Sequence, residues 1–409
     1  MTSLWDTTGK EIGEALATER RSTGAVAFGL VLSLVVVVDE RNVRSTIDAA
    51  TTASMAHPCR TLVVVRRQPG ADSPRLDAEI SIGGASGPGE TIVLRTWGRL
   101  ALHADSVVLP LLAPDAPVVT WWHGEPPLHI GHDPLGVLAD RRVTDCAASA
   151  DPLAALHTRA HDYRPGDTDL AWSRLSGWRS LLAAAFDACP QQAGQITISA
   201  ARGNPSAVLL GGWLGPRLGS EVTIEDSAGP GITEVTIAAA ATTSDDHPPG
   251  PPVPTSPPDG GAGTVPADGD VPLLRILRTD GRTAMLSRAG QPDRSLPLPR
   301  RERGDLLAEE LRRLDADEVY AEALAAAFDL EDLNDRPDVR RHVWRDIGDT
   351  PPERLHEVLP GVAAEDAKGF HNPDRAAIER TAREMLAADE AARARATAVA
   401  GAASERPRR

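Results

Sequence analysis

Cysteine is scarce in this chain of 409 residues: Cys59, Cys146 and Cys189 are the whole set, and they stand far apart. An odd, widely spaced trio matches neither the disulfide framework of a small secreted domain nor a zinc signature, and it points to a reducing, cytoplasmic compartment. Phe and Tyr are nearly as rare, four and two against eight Trp. Most of the aromatic area therefore lies in side chains favoured at core edges and interfaces. Basic residues are outnumbered, 43 Lys and Arg against 58 Asp and Glu, for a formal charge of −15. Such a balance repels phosphate backbones and anionic lipid surfaces, so neither nucleic acid nor a membrane is an expected partner. Long apolar runs are missing too. The longest uncharged one, Gly24 to Val38, has fifteen residues, where about 18 to 20 are needed to cross a bilayer. It ends in Asp39-Glu40-Arg41 instead of a small-residue cleavage site, and it reads as a buried strand.

The motifs of common catalysts are missing as well. No Walker sequence occurs, and the one Gly-rich stretch, Gly83 to Gly89, lies between two strand-like runs, with no helix to follow it. That context makes it a hairpin loop and presents no helix N-terminus to a phosphate. No Gly-x-Ser-x-Gly elbow is present. His123, His129, His132 and Asp133 fall within one Pro- and Gly-rich loop, without the distant ligand pair that a metal site requires, so no metal and no cofactor is expected. His57-Pro58-Cys59-Arg60 sets a thiol beside an imidazole and a guanidinium. This makes Cys59 a candidate redox thiol, against the reading of a structural thiol at the edge of the core.

What is present is alternation. Strand-like runs at Arg60 to Val65, Ile80 to Ile82, Ile92 to Trp97 and Val118 to Trp122 are interleaved with helical stretches at Asn42 to Met55, His103 to Leu112 and Pro134 to Arg141. The pattern predicts an α/β protein of two mixed-sheet α/β domains with a C-terminal helical extension. The boundaries read as 1–150 for the first domain and 151–330 for the second. A Pro- and Gly-rich insertion at 244–270 has almost nothing to bury, and 331–409 reads as a charged helical extension with a disordered distal end. In the second domain, Leu170, Trp172, Leu175, Trp178, Leu181, Leu182 and Phe186 share one helical face. Asp167-Thr168-Asp169 stands before that face, where Asp and Thr cap helices.

Several side chains also suit a binding surface. Trp172, Arg174, Trp178 and Arg179 combine flat anchors with planar charged forks, a composition typical of interface hot spots, although two Trp on an apolar face are more often core. Trp121-Trp122 ends a strand, where alternation sends the rings to opposite faces. If the sheet is covered on one side only, one of the two needs a partner.

These segments together resemble the family of glucose-6-phosphate dehydrogenase assembly proteins, OpcA, from about residue 20 to about residue 330. The blocks that carry the resemblance in the first half are His57-Pro58-Cys59-Arg60, Ser106 to Leu112, Pro114 to Val119, Trp121-Trp122 with Gly124, Asp133-Pro134-Leu135-Gly136 and Arg142-Val143-Thr144-Asp145. Those in the second half are Pro165 to Trp172, Trp178-Arg179, Gly212-Trp213-Leu214, Arg217-Leu218-Gly219, Leu307 to Asp315 and Asp317 to Tyr320. His123 departs from the Trp-Trp-Pro-Gly usual in that family. The resemblance implies a noncatalytic cytoplasmic protein that binds glucose-6-phosphate dehydrogenase in a hetero-oligomer and raises its activity, as an allosteric activator at the entry of the pentose phosphate pathway. Trp121, Trp122, Asp167, Asp169, Trp172, Arg174, Trp178 and Arg179 are the expected partner-binding residues. Competing readings are a sugar-phosphate or nucleotide sensor at the carboxyl edge of the sheet, and a hydrolase using Asp167, Asp169 and His161 as acid and base.

Overall fold

The computed structural model describes residues 2–22, 29–83, 89–187, 192–240, 272–336 and 339. The 244–270 insertion, Cys189, the middle of the Gly-rich loop and nearly all of the 331–409 extension lie outside the described residues. Contacts divide the chain into two units, Met1–Arg174 together with Arg301–Arg409, and Leu175–Arg300.

The first unit opens with β1 (Thr2–Leu4) and α1 (Gly9–Ser22). Thr8 and Glu11 exchange bonds at the helix start: Thr8 N donates to Glu11 Oε2 at 2.9 Å and Glu11 N to Thr8 Oγ1 at 3.3 Å, a capping box that satisfies two orphan amides. Then follow β2 (Leu32–Val37), α2 (Val43–Ala56), β3 (Cys59–Arg67), β4 (Arg75–Ile82) and β5 (Glu90–Trp97). Two short helices, α3 (Arg99–Leu102) and α4 (Asp105–Val108), replace the single helix expected over His103 to Leu112. After them come β6 (Val118–Trp122), α5 (Pro134–Val137), β7 (Arg141–Thr144), α6 (Pro152–Asp162), β8 (Asp167–Asp169) and α7 (Leu170–Ser173).

The eight strands form one sheet in the order β1-β4-β5-β3-β2-β6-β7-β8. The six from β5 to β8 in that order are parallel to their neighbours, while β4 and β1 run antiparallel at one edge. Numbered along the chain, the six parallel strands lie 3-2-1-4-5-6, the doubly wound order whose switch point here falls between β2 and β6. Strand alternation feeds two cores. Val35, Leu62, Val64, Ile80 and Ile92 pack with Ile12 and Leu16 of α1, whereas Leu32, Leu34, Val36, Val119 and Trp121 pack with Ala49, Ala50 and Ala53 of α2. A sheet covered on both faces is the condition that parallel strands normally meet.

The second unit contains α8 (Ser176–Phe186), β9 (Ala193–Ala200), α9 (Pro205–Leu218), β10 (Val222–Asp226), β11 (Ile232–Ala239), β12 (Leu274–Arg278), β13 (Thr283–Arg288) and β14 (Gln291–Pro297). Its sheet runs β10-β9-β11-β12-β13-β14, with only the β10-β9 pair parallel. Ile196, Ile198, Val235, Ile237, Leu274 and Ile276 are buried and alternate with the polar Thr197, Ser199, Glu234, Thr236 and Arg275. α9 has a helical start signal, with Asn204 capping through Ala207 N and Pro205 at its first position, and it ends at Gly219 in the left-handed region.

The chain then returns to the first unit with α10 (Arg303–Glu310) and α11 (Glu318–Ala327). Leu306, Leu307 and Leu311 join the Trp121 core, and α10 crosses α2 at Gly304, where an added Cβ would lie 2.6 Å from Thr52 Cβ. The sequence boundary at 150 therefore differs from the division by contacts. β8 pairs with β7, and residues 303–327 belong to the first unit instead of extending the second domain.

Candidate functional site

In doubly wound sheets ligands bind beyond the carboxyl ends of the strands, at the switch point. Here the turn after β2 reads Val38-Asp39-Glu40-Arg41-Asn42 and contains no glycine. Glu40 receives Arg95 Nε at 3.0 Å and Arg67 Nη1 at 3.5 Å. A pyrophosphate docks on bare backbone amides at the first turn of the following helix, and this turn offers it the Asp39 and Glu40 carboxylates.

Beyond β6 and β7 lies a charged cluster. Arg174 grips the buried Asp145 with both ends of its fork, at 2.7 and 3.0 Å, and Arg303 Nε reaches the same carboxylate at 3.3 Å. Arg303 Nη1 also donates to His123 Nε2 at 2.9 Å, which fixes the proton of the neutral ring on Nδ1. His123 rests edge-on against Trp121. Burial, and then the Arg303 charge, push its pKa down to about 4. The unfolded chain thus binds a proton near pH 6.5 that the folded chain refuses until about pH 4. Stability is full above that window and falls as the pH drops through it. The His123→Gln variant should lose about 1–2 kcal/mol less than the parent between pH 7 and pH 5. Urea midpoints at the two pH values test this, and equal losses in both proteins would count against it.

The rest of the cluster holds elements together. Arg141 and Arg142, adjacent on β7, point to opposite faces. Arg141 Nη2 donates to Glu310 Oε2 of α10 at 2.6 Å, and the other oxygen of Glu310 accepts from Ser173 Oγ at 2.6 Å. Arg142 pairs with Asp167 and also donates to the carbonyls of Ala139 and Pro165. Burial pushes the Asp167 carboxyl up, against the pull of Arg142. Asp169 accepts from Thr144 Oγ1 at 2.6 Å, Cys146 N at 2.9 Å and Ala171 N at 2.8 Å. Trp172 Nε1 donates to Asp317 Oδ2 at 2.9 Å, while Asp317 caps α11 through Tyr320 N.

The expected partner-binding residues thus separate into two groups. Trp121, Trp122, Trp172 and Trp178 are 0%, 1%, 1% and 3% exposed, so none presents a ring to solvent. The reason is the doubly covered sheet: Trp121 enters the α2 and α10 core, and Trp122 reaches Gly136 on the opposite face, where Ile130 O leaves no room for a Cβ. Trp178 belongs to the second unit, where the Arg278 guanidinium lies 5.3 Å from its ring. Asp167 and Asp169 are buried structural acceptors. Arg174 and Arg179 are only half buried. Among the described residues the exposed indole is Trp5, at 65%, just past β1, and sequence reasoning passed over it.

Cys59 is fully buried, 3.6 Å from Thr61 Oγ1, and burial pushes its thiol up to about 11, so little thiolate forms at neutral pH. The histidine loop is likewise engaged: His129 Nδ1 meets Asp162 Oδ1 at 2.7 Å, and Asp133 takes Arg66 at 2.7 and 2.8 Å. Among the described residues no group of three or more metal-ligating side chains converges. Sequence reasoning passed over Asp145, Arg303, Arg141 and Glu310 as site residues. The signal for Asp145 was its position directly after a short strand that begins with two arginines.

Comparison with known proteins completes the picture. Residues 50–161 match the family described as glucose-6-phosphate dehydrogenase subunit N-terminal domain, and residues 165–324 match its C-terminal domain. A putative OxPP cycle protein OpcA of Synechococcus elongatus is 31% identical over 140 residues, 32% of this chain and 31% of that protein. One of the same name from Synechocystis sp. is 29% identical over 155 residues, 36% of this chain and 32% of that protein. The aligned part of the chain spans about a third of the length of these curated relatives. Among solved structures, KijD10, a 3-ketoreductase from Actinomadura kijaniata in complex with NADP and TDP-benzene, overlaps 72% of this chain and 94% of its own. The TM-score is 0.36 and the identity 8%, and nothing about chemistry is carried over from it.

Proposed function

Because the chain belongs to the OpcA family of glucose-6-phosphate dehydrogenase assembly proteins, we propose that it binds that dehydrogenase and stabilises its active oligomer without catalysing a reaction itself. The observation that carries this reading is the pair of family matches, which together run from residue 50 to 324 apart from 162–164. The state of the candidate acids supports it. A general acid or base must reach a substrate proton, whereas Asp167 is tied to Arg142 and Asp169 to three donors inside the unit. The Asp39-Glu40 turn speaks against the competing reading of a nucleotide sensor.

Activation requires the partner's active form to be bound better than its inactive form, since equal affinity shifts no equilibrium. A clamp across a subunit boundary makes contacts that exist only in the assembled enzyme. A coupling of about 1–3 kcal/mol changes apparent substrate affinity about 5- to 150-fold. In this reading Arg174 of the first unit and Arg179 of the second, both half buried, are each candidates for contact with the dehydrogenase.

The test is to mix the purified chain with the dehydrogenase of the same cell. Mass by size exclusion with light scattering is measured alongside activity at subsaturating glucose 6-phosphate. A heavier complex with raised activity is expected. Separate elution with unchanged activity would overturn the reading, as would steady turnover of glucose 6-phosphate or its lactone by the chain alone.

A further inference from the structure

The last turns of α6 read His157-Thr158-Arg159-Ala160-His161, two imidazoles four residues apart and therefore on one helical face. Both side chains are exposed. Their Nε2 atoms lie 3.1 Å apart, and the ring centroids 4.3 Å. We propose that His157 and His161 together bind a borderline divalent cation of the Zn(II) and Ni(II) class.

The distance between the two rings suits a shared metal. Two nitrogens each about 2.0–2.1 Å from Zn(II) stand about 2.8–3.4 Å apart as the angle at the metal opens from square to tetrahedral. The separation of the two Nε2 atoms falls within that interval, so a cation can enter with little movement of either ring. Without a cation, one neutral imidazole donates its Nε2 proton to the lone pair of the other. With a cation, both Nε2 lone pairs face the metal and both protons reside on Nδ1, a tautomer open to any imidazole. The same i, i+4 placement presents the two histidines of H-E-x-x-H helices to zinc.

The surroundings hold the pair in place. Phe328 lies edge-on to the His157 ring, with centroids 5.3 Å apart. Arg336 Nη1 donates to the carbonyls of Ala160, His161 and Tyr163 at 3.2, 2.9 and 3.2 Å, which fixes the end of the helix that bears His161. The negative end of the α6 dipole favours a cation there. Asp162, the residue after His161, is occupied with His129 at 2.7 Å. Among the described residues no third ligand joins the pair. The described residues therefore supply two ligands, and water completes the coordination, which makes for an open site of modest affinity selective for nitrogen-seeking metals over Mg(II).

Calorimetric titration of the full chain with Zn(II) chloride, and separately with Mg(II) chloride, tests the proposal. One equivalent of Zn(II) is expected to bind, to be withdrawn by EDTA, and to raise the melting midpoint, with no response to Mg(II). His157→Gln and His161→Gln should each weaken Zn(II) binding by about tenfold or more, since each removes one of two ligands. His129→Gln, in the neighbouring loop, should leave it unchanged. Wild type that takes up no Zn(II), or a His157→Gln/His161→Gln double variant that binds as well as the parent, would overturn the assignment.

Discussion

Replacing Asp169 with alanine is expected to destabilise the first unit by about 2–5 kcal/mol, because the buried amides of Cys146 and Ala171 lose this acceptor at once, the Thr144 hydroxyl keeps only its 3.3 Å bond to Thr168 O, and each unsatisfied group costs about 1–3 kcal/mol. The carboxylate ties the hydroxyl of Thr144 at the end of β7, the amide of Cys146 just beyond it, and the amide of Ala171 at the start of α7. It also caps α7, a four-residue helix with little stability of its own. Asp169→Asn should fall between wild type and alanine, since one oxygen remains while the new amide group faces donors. Urea denaturation followed by tryptophan fluorescence and far-UV circular dichroism would measure the loss. A folded Asp169→Ala protein with an unchanged midpoint would remove the residue from the framework and reopen its reading as an acid or base.

The same residue shows where sequence reasoning succeeds and where it stops. Asp169 is legible as a cap, and it is one, but the preceding Asp167-Thr168-Asp169 is also β8. Three polar residues without alternation give no strand signal, and their pairing depends on β7, twenty-odd residues earlier. The Val-rich runs are readable as strands because parallel strands in a doubly covered sheet are apolar throughout. The unbroken Leu and Trp spacing from 170 to 186 conceals a break. α7 stops at Ser173 and α8 begins at Ser176, and the two helices belong to different units. Periodicity reports which face is apolar and is silent about which core receives it.

The tryptophans escape sequence reasoning for a related cause. Alternation correctly sends Trp121 and Trp122 to opposite faces, and the question of whether one of them needs an outside partner turns on how many faces are covered. Part of that cover comes from Leu306, Leu307 and Leu311, whose arrival on the Trp121 side is a contact across nearly two hundred residues. No local pattern announces it. The charges at the site share this character. The Arg141 to Glu310 and Arg303 to Asp145 pairs bridge 169 and 158 residues, so neither partner looks functional in its own neighbourhood. His123, which in sequence reads as part of a Pro- and Gly-rich loop without a metal site, accepts from an arginine of α10, a partner that nothing local announces.

The interleaved architecture has a large and decisive consequence. A fragment ending at Arg174 is expected not to fold cooperatively, whereas a chain lacking Leu175–Arg300, with Arg174 joined to Arg301 by a short Gly-Ser linker, should fold. The fragment loses the cover given by Leu306, Leu307, Leu311, Tyr320 and Leu324. At about 1.5–3 kcal/mol for each large apolar side chain, that removes on the order of the whole stability of a domain. It also strands Arg141 without Glu310 and the Trp172 indole without Asp317, and a buried cation left unpaired costs several kcal/mol more. The excised chain keeps all of these contacts. Its new joint is short, because the Arg301 guanidinium donates to the carbonyl of Ser173, which brings the two cut ends within about the length of one arginine side chain. A linker of about six residues spans about 12–15 Å, enough to close that gap without strain. Thermal melting and dispersed amide proton spectra would separate the two shortened chains. If the 1–174 fragment melts cooperatively by itself, α10 and α11 are appendages; if neither shortened chain folds, the second unit is required for the first.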